Sequence, residues 1–306
     1  MKAAVDIVSS SPHPTNKIAA TIANNQGFSS NQVNHWPKSI EDLVGCETYI
    51  GNSSGTIHAE TACLFAANKG GHKTQGVSIF ITDPPCPNCM KNLAEAQISK
   101  LYIDHKGFDK DWAKRRGDHF ENMSMRIAQR AGMDVLVIYR KEQRFEIISR
   151  HAPGYTPAIE NPPIIEKTSA AFEDLIIQAQ KRNHDEPFAL ALAKDLKGQR
   201  VLIEAACHPT IGYTSQTLEH PDNKYSFILQ PINRLLMNAA RKGLKIESKY
   251  VYSSRVPTSR ELVNMIGAGL MQIQIGNLDK SRDEHGLRAL ELLKNKQIIT
   301  IANAKK

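Results

Sequence analysis

Thr82-Asp83-Pro84-Pro85-Cys86-Pro87-Asn88-Cys89 is the stretch on which the reading turns. Its two cysteines stand at i and i+3, about 60° apart around a helix, so both sulfurs can face one ion. Pro87 suits the first turn of a helix. Thiolates at that end gain from the positive end of the helix dipole. Upstream, His58-Ala59-Glu60 opens a second helical segment, in which Ala59, Ala62, Cys63, Ala66 and Ala67 recur at helical spacing toward Lys69. Leu64 and Phe65 widen that stripe, which predicts a helix buried on more than one side. An imidazole from His58 with the Cys86 and Cys89 thiolates favours Zn²⁺ on softness and geometry. Cys63 lies about 140° round the helix from His58 and faces elsewhere. Spacing alone leaves Cys46 open as a fourth ligand. The economical reading is one Zn²⁺ per chain, three protein ligands, and a last position for a water or hydroxide, the catalytic pattern. Glu60 beside such a water can take its proton and deliver it to a ring nitrogen and a departing amine.

Working outward, the first half alternates strands and helices. Strands are predicted over 17–23, 28–33, 77–81, 100–104 and 135–139, and helices over 58–69, 87–97 and 118–133. Strand–helix–strand repeats imply parallel pairing with right-handed crossovers, hence a three-layer α/β/α unit. Between His151 and Lys167 stand Pro153, Pro157, Pro162 and Pro163, a density that interrupts helices and ladders. The expected division is a catalytic unit over 1–150, a proline-rich linker over 151–167 and a second unit over 168–306.

The second unit reads as a copy of the first. Gly27-Phe28-Ser29-Ser30 matches Gly212-Tyr213-Thr214-Ser215, and Ala66-Ala67-Asn68-Lys69-Gly70 matches Ala239-Ala240-Arg241-Lys242-Gly243. Pro85 falls on Pro257, and Ile98, Leu101 and Ile103 fall on Leu270, Ile273 and Ile275. The matches keep their order, as a duplication requires. On this alignment His58-Ala59-Glu60 falls on Pro231-Ile232-Asn233, Cys86 on Thr258, Cys89 on Glu261 and Asn34 on Glu219. The second copy is therefore expected to bind no metal and to carry no chemistry.

Composition sets the outer bounds. With 306 residues, 41% hydrophobic and 23% charged, the chain is globular rather than disordered. A net charge of +8 is spread over both halves, +3 before residue 151 and +5 after it. That permits an anionic partner and does not demand one. Five cysteines argue against a disulfide framework. No stretch approaches the ~20 apolar residues of a membrane span, and the start is too short for a secretory signal, so the expectation is a cytoplasmic protein.

His58-Ala59-Glu60 with Pro85-Cys86-Pro87-Asn88-Cys89 resembles the H-x-E and P-C-x-x-C signature of the zinc base deaminases, the cytidine/deoxycytidylate deaminase superfamily. The resemblance covers about residues 1–140. It implies a cytidine-deaminase-like fold with a mixed five-stranded sheet, duplicated in tandem with an inactive second copy. It also implies hydrolytic release of ammonia from a nucleobase, a cytosine in a free nucleoside or nucleotide such as dCMP or CMP. One alternative is a base in tRNA or single-stranded nucleic acid; another is a non-enzymatic, zinc-stabilised interaction protein. The run Met90-Lys91-Asn92-Leu93-Ala94-Glu95-Ala96-Gln97-Ile98 resembles the deoxycytidylate deaminase helix. However, Thr61-Ala62 follow Glu60 where those enzymes usually have an asparagine nearby. Asn34 sits where the family places a substrate-holding asparagine. Ala59, Trp36 and Trp112 complete the expected substrate contacts, with Trp36 equally suited to the core. Lys114, Arg115 and Arg116 read either as phosphate ligands or as a solvated helix face. The implied partners are a nucleotide or nucleoside, with nucleic acid as the alternative, no membrane, and an intramolecular pseudo-dimer that can also oligomerise.

Overall fold

A computed structural model describes residues 1–24, 27–110, 123–184, 186–219 and 225–302. Trp112, Lys114, Arg115, Arg116 and the first part of the helix expected over 118–133 lie outside them.

The first half contains strands β1 (Ala19–Ala23), β2 (Ser29–Val33), the short hairpin β3 (Tyr49–Ile50) and β4 (Ser53–Ser54), then β5 (Ser78–Ile81), β6 (Lys100–Asp104), β7 (Asp134–Tyr139) and β8 (Arg144–Ser149). The second contains β9 (Ile164–Lys167), β10 (Phe188–Lys194), β11 (Arg200–Ala206), the paired β12 (His208–Pro209) and β13 (Ile228–Leu229), then β14 (Lys245–Ser253), β15 (Gln272–Ile275) and β16 (Thr300–Ile301). The first sheet runs β2-β1-β5-β6-β7-β8 and the second β9-β11-β10-β14-β15-β16. In the first, β1 is antiparallel to β2 and β5, and β5, β6 and β7 are parallel. In the second, β10 is antiparallel to β11 and β14, and β14, β15 and β16 are parallel. Five strands thus repeat in one order and one set of directions.

Each sheet has six strands, one more than expected. The additions are edge strands whose side chains are mostly exposed or half-buried, so neither shows the alternation that betrays a half-buried strand. β9 lies inside the segment expected to be linker. Pro162 and Pro163 precede it, and an edge strand tolerates proline at its start. One repeat match fails. Ser29 pairs with Ala23 and Arg200 pairs with Lys194, so β2 corresponds to β11. Gly212-Tyr213-Thr214-Ser215 lies beyond β12 and matches Gly27-Phe28-Ser29-Ser30 by chance. Asn34 then corresponds to Cys207, the residue after β11, and not to Glu219.

Alternation explains the layers. In β10 the large side chains Phe188, Leu190 and Leu192 point one way, into a cluster with Phe172 and Leu175 of the helix Phe172–Asn183. Ala189, Ala191 and Ala193 point the other way, into a cluster shared with Leu235 and Leu236 of the helix Pro231–Lys242. That second cluster runs on into the first half, through Leu64, Phe65 and Met90. The helices Ala59–Lys69 and Pro87–Glu95 pack against Pro231–Lys242, so the two halves meet helix to helix. At the junction the Arg234 guanidinium donates to Glu95 at 3.1 Å, to the Ala206 carbonyl at 2.9 Å and to the Asn161 carbonyl at 2.8 Å. Asn238 donates to the same Glu95 oxygen at 2.6 Å. Both members of the ion pair are buried.

Candidate active site

His58 and Cys86 are each the N-cap of a helix, Ala59–Lys69 and Pro87–Glu95, and both caps have extended backbone. Pro87 holds the first position of its helix, where it has no backbone N–H to leave unpaired. Two helix N-termini therefore aim orphaned N–H groups and positive dipole ends at one place, which favours anionic sulfur.

There the His58 Nδ1 atom lies 3.6 Å from Cys86 Sγ and 3.3 Å from Cys89 Sγ. All three ligand atoms lie within 4.8 Å of one another. A tetrahedral zinc with Zn–N near 2.0 Å and Zn–S near 2.3 Å sets each N···S separation at about 3.6 Å, so the donor set fits that ion. A hydrogen bond with the Cys89 thiol, then the His58 ring, draws Cys86 below the usual thiol range. Neither other cysteine of this half joins the cluster: Cys46 is exposed, and buried Cys63 bonds to the Ala20 carbonyl at 3.3 Å.

Glu60 is 3% exposed, and its Oε2 atom has no hydrogen-bond partner among the described residues. Burial pushes its carboxyl up to about 7, against the pull of His58. It lines the same cavity of about 390 Å³ as the three ligands, a volume in the range of small-molecule sites.

Asn34 reaches this cavity but its side chain is engaged locally. Its Oδ1 accepts from Ser11 Oγ at 2.8 Å and from the Ile18 N–H at 2.9 Å, and its Nδ2 donates to the Asn16 carbonyl at 2.8 Å. One N–H of the amide is left for a ligand. Ala59 and Trp36 do not line the cavity; both belong to the apolar core. Trp36 touches the site indirectly, stacked at 5.4 Å under His13, which does line it.

Much of the wall comes from the second half. Tyr225, Gln230, Arg260 and Arg282 line the cavity, as does Lys91 of the first half. Arg260 crosses the junction to donate to the carbonyls of Thr56 at 2.7 Å and Ser54 at 3.3 Å, just before His58. The Lys91 ammonium donates to the carbonyls of Ser226 at 2.7 Å and Ile228 at 3.0 Å.

The equivalent place in the second half holds a carboxylate. The helices Pro231–Lys242 and Ser259–Gly267 are capped by Gln230 and Thr258, so His58 corresponds to Gln230, one residue before the expected Pro231, and Cys86 to Thr258 as expected. Asn264 bonds to Asn233 at 2.8 Å as Asn92 bonds to Thr61 at 3.2 Å, which fixes this register and places Glu60 opposite Ile232. Glu261, opposite Cys89, accepts from the N–H groups of Ile232 and Thr258 and from Thr258 Oγ1, each at 2.8 Å.

A family model described as "Cytidine and deoxycytidylate deaminase zinc-binding region" matches residues 1–105. The chain is 26% identical over 125 residues to the "Uncharacterized deaminase in luxG 3'region" of Aliivibrio fischeri, covering 41% of this chain and 81% of that protein. It is 36% identical over 50 residues to the "Deoxycytidylate deaminase" of Enterobacteria phage T2, covering 16% of this chain and only 27% of that protein. A dCMP deaminase from the cyanophage S-TIM5, crystallised with dCMP and dUMP, is 24% identical. It aligns over 45% of this chain and 92% of its own, with a TM-score of 0.34. No helix among the described residues is long and apolar enough to cross a membrane.

Proposed function

We propose that the chain, whose residues 1–105 match the model of the cytidine and deoxycytidylate deaminase zinc-binding region, is a zinc-dependent hydrolytic deaminase. Its substrate is a nucleobase carried by a free nucleoside or nucleotide, with a cytosine-type ring favoured. The observation that carries the reading is one cavity shared by three convergent ligand atoms and a buried, unpartnered carboxylate oxygen.

His58, Cys86 and Cys89 would hold the metal. When bound, zinc supplies Lewis acidity that makes water a competent nucleophile at neutral pH. Glu60 is placed to take the proton that water gives up as its oxygen adds to the amine-bearing ring carbon. The same carboxyl passes that proton to the adjacent ring nitrogen, then takes the remaining proton of the added hydroxyl and passes it to the exocyclic amine. The C–N bond breaks, the carbon keeps the water oxygen as a carbonyl, and ammonia leaves. Burial, which raises this carboxyl, favours its protonated form and so its return of the proton. Asn34 has one amide N–H with which to orient the ring or sugar.

The second half we read as a degenerate copy. The repeated strand order and the Gln230, Thr258 and Glu261 positions support this. It acts as a built-in partner whose side chains finish the pocket. A soluble, fully active 1–150 fragment would contradict that role.

The test is an ammonia-release screen of the zinc-loaded chain against nucleosides, nucleotides, single-stranded DNA and a tRNA pool. Release from a free pyrimidine nucleoside or nucleotide is the expected result. Release only from nucleic acid would transfer the activity to the polymer. Silence across the screen would leave a zinc-stabilised interaction protein.

A further inference from the structure

Three cationic side chains line the cavity: Lys91, Arg260 and Arg282. None is in an ion pair with a carboxylate among the described residues. Arg260 and Lys91 spend their N–H groups on main-chain carbonyls, which carry no net charge. Arg282 makes no hydrogen bond among the described residues and lines the same cavity as Lys91. The carboxylates of the cavity do not answer this charge. Glu60 is committed to the chemistry, and Asp283 caps the helix Glu284–Asn295 through the Gly286 N–H at 3.1 Å. The thiolates of Cys86 and Cys89 would be matched by the divalent ion they hold. Arg282 is exposed and lines the cavity, so its guanidinium can meet an anionic group of a bound ligand.

We propose that Arg282, with Lys91 and Arg260, forms an anion subsite that holds the phosphate of a free nucleotide while the first half holds the ring. The guanidinium of Arg282 suits a phosphate monoester because its planar fork can bond two oxygens at once. The occupant is a single nucleotide because the cavity, at about 390 Å³, is the size of one small ligand, and buried Lys91 lies within it. The subsite crosses the two halves, so the second half selects the substrate although it carries no chemistry. The nucleotide identity rests on the deaminase reading, whereas the anion subsite does not need turnover.

Calorimetric titration of the full zinc-loaded chain with inorganic phosphate and with a pyrimidine nucleoside monophosphate tests this. Arg282→Ala should weaken both by about tenfold or more while zinc content stays at the wild-type level. Arg282→Lys should recover part of the loss, because the point charge remains and the fork does not. Wild-type protein that ignores millimolar phosphate, or Arg282→Ala binding as wild type does, would overturn the subsite. A single-stranded oligonucleotide binding more tightly than the monophosphate would overturn the free-nucleotide occupant. A chain that binds phosphate through Arg282 yet releases no ammonia would refute the deaminase reading and leave the subsite standing.

Discussion

The Glu261 carboxylate accepts a hydrogen bond from the Ile232 N–H at 2.8 Å and so joins two helix N-termini of the second half. In the first half the corresponding helices converge on His58, Cys86 and Cys89. One carboxylate thus stands where the other half gathers an imidazole and two thiols. Both solutions answer the same need, which is negative charge between two positive dipole ends.

Glu261→Ala strands three donors, two of them backbone N–H groups at buried helix starts. Stability should fall by about 2–4 kcal/mol, since each unmet buried group costs about 1–3 kcal/mol and some regain water. A urea titration reads the loss. Zinc content should stay at one ion per chain, and a drop in metal would show that Glu261 supports the first site instead.

Arg234 and Glu95 form the buried ion pair across the junction. Arg234→Ala leaves an uncompensated carboxylate in the core and should cost about 3–5 kcal/mol. The double change Arg234→Met with Glu95→Leu should recover most of it, because an apolar pair of similar volume needs no solvation. A double variant as weak as the single would mean that the bonds from Arg234 to Ala206 and Asn161 dominate.

Cysteine alkylation at pH 8 gives a metal-dependent pattern. Exposed Cys46 should react with or without zinc. Buried Cys63 should resist in both states, and Cys207, whose thiol burial pushes up to about 11, should react slowly. Cys86 should react in the metal-free chain and be protected at least about tenfold by zinc, since a coordinated thiolate is a poor nucleophile toward solvent reagents, whereas Cys89, buried and with its thiol pushed up by the hydrogen bond with Cys86 and by burial, should react slowly in both states. Equal labelling of Cys86 in the presence and absence of zinc would exclude it as a ligand.

The convergence of His58, Cys86 and Cys89 was legible because its signal is local. The Cys86 and Cys89 spacing and the His58-Ala59-Glu60 start each depend on a single helix turn. The ordered sequence matches fall on corresponding strands of the two sheets where they lie in regular elements: Leu101 and Ile103 are in β6, and Ile273 and Ile275 are in β15. The matching misled at Gly212, because a glycine, an aromatic residue and two hydroxyl residues recur there outside the strand that corresponds to β2. Trp36 was ambiguous because an aromatic ring suits a core and a base equally, and the core holds it. Arg260 and Arg282 were invisible. Nothing in their own neighbourhood marks them, and they meet His58 only through the docking of segments some two hundred residues apart in the chain.

Glu60→Ala, brought to wild-type zinc content and assayed for ammonia release on the best substrate, tests the central claim most directly. The account expects zinc binding to persist, because Glu60 is no ligand, and turnover to fall by at least about 100-fold, the usual contribution of a positioned acid–base group. Turnover within a few-fold of wild type at equal metal content would contradict it.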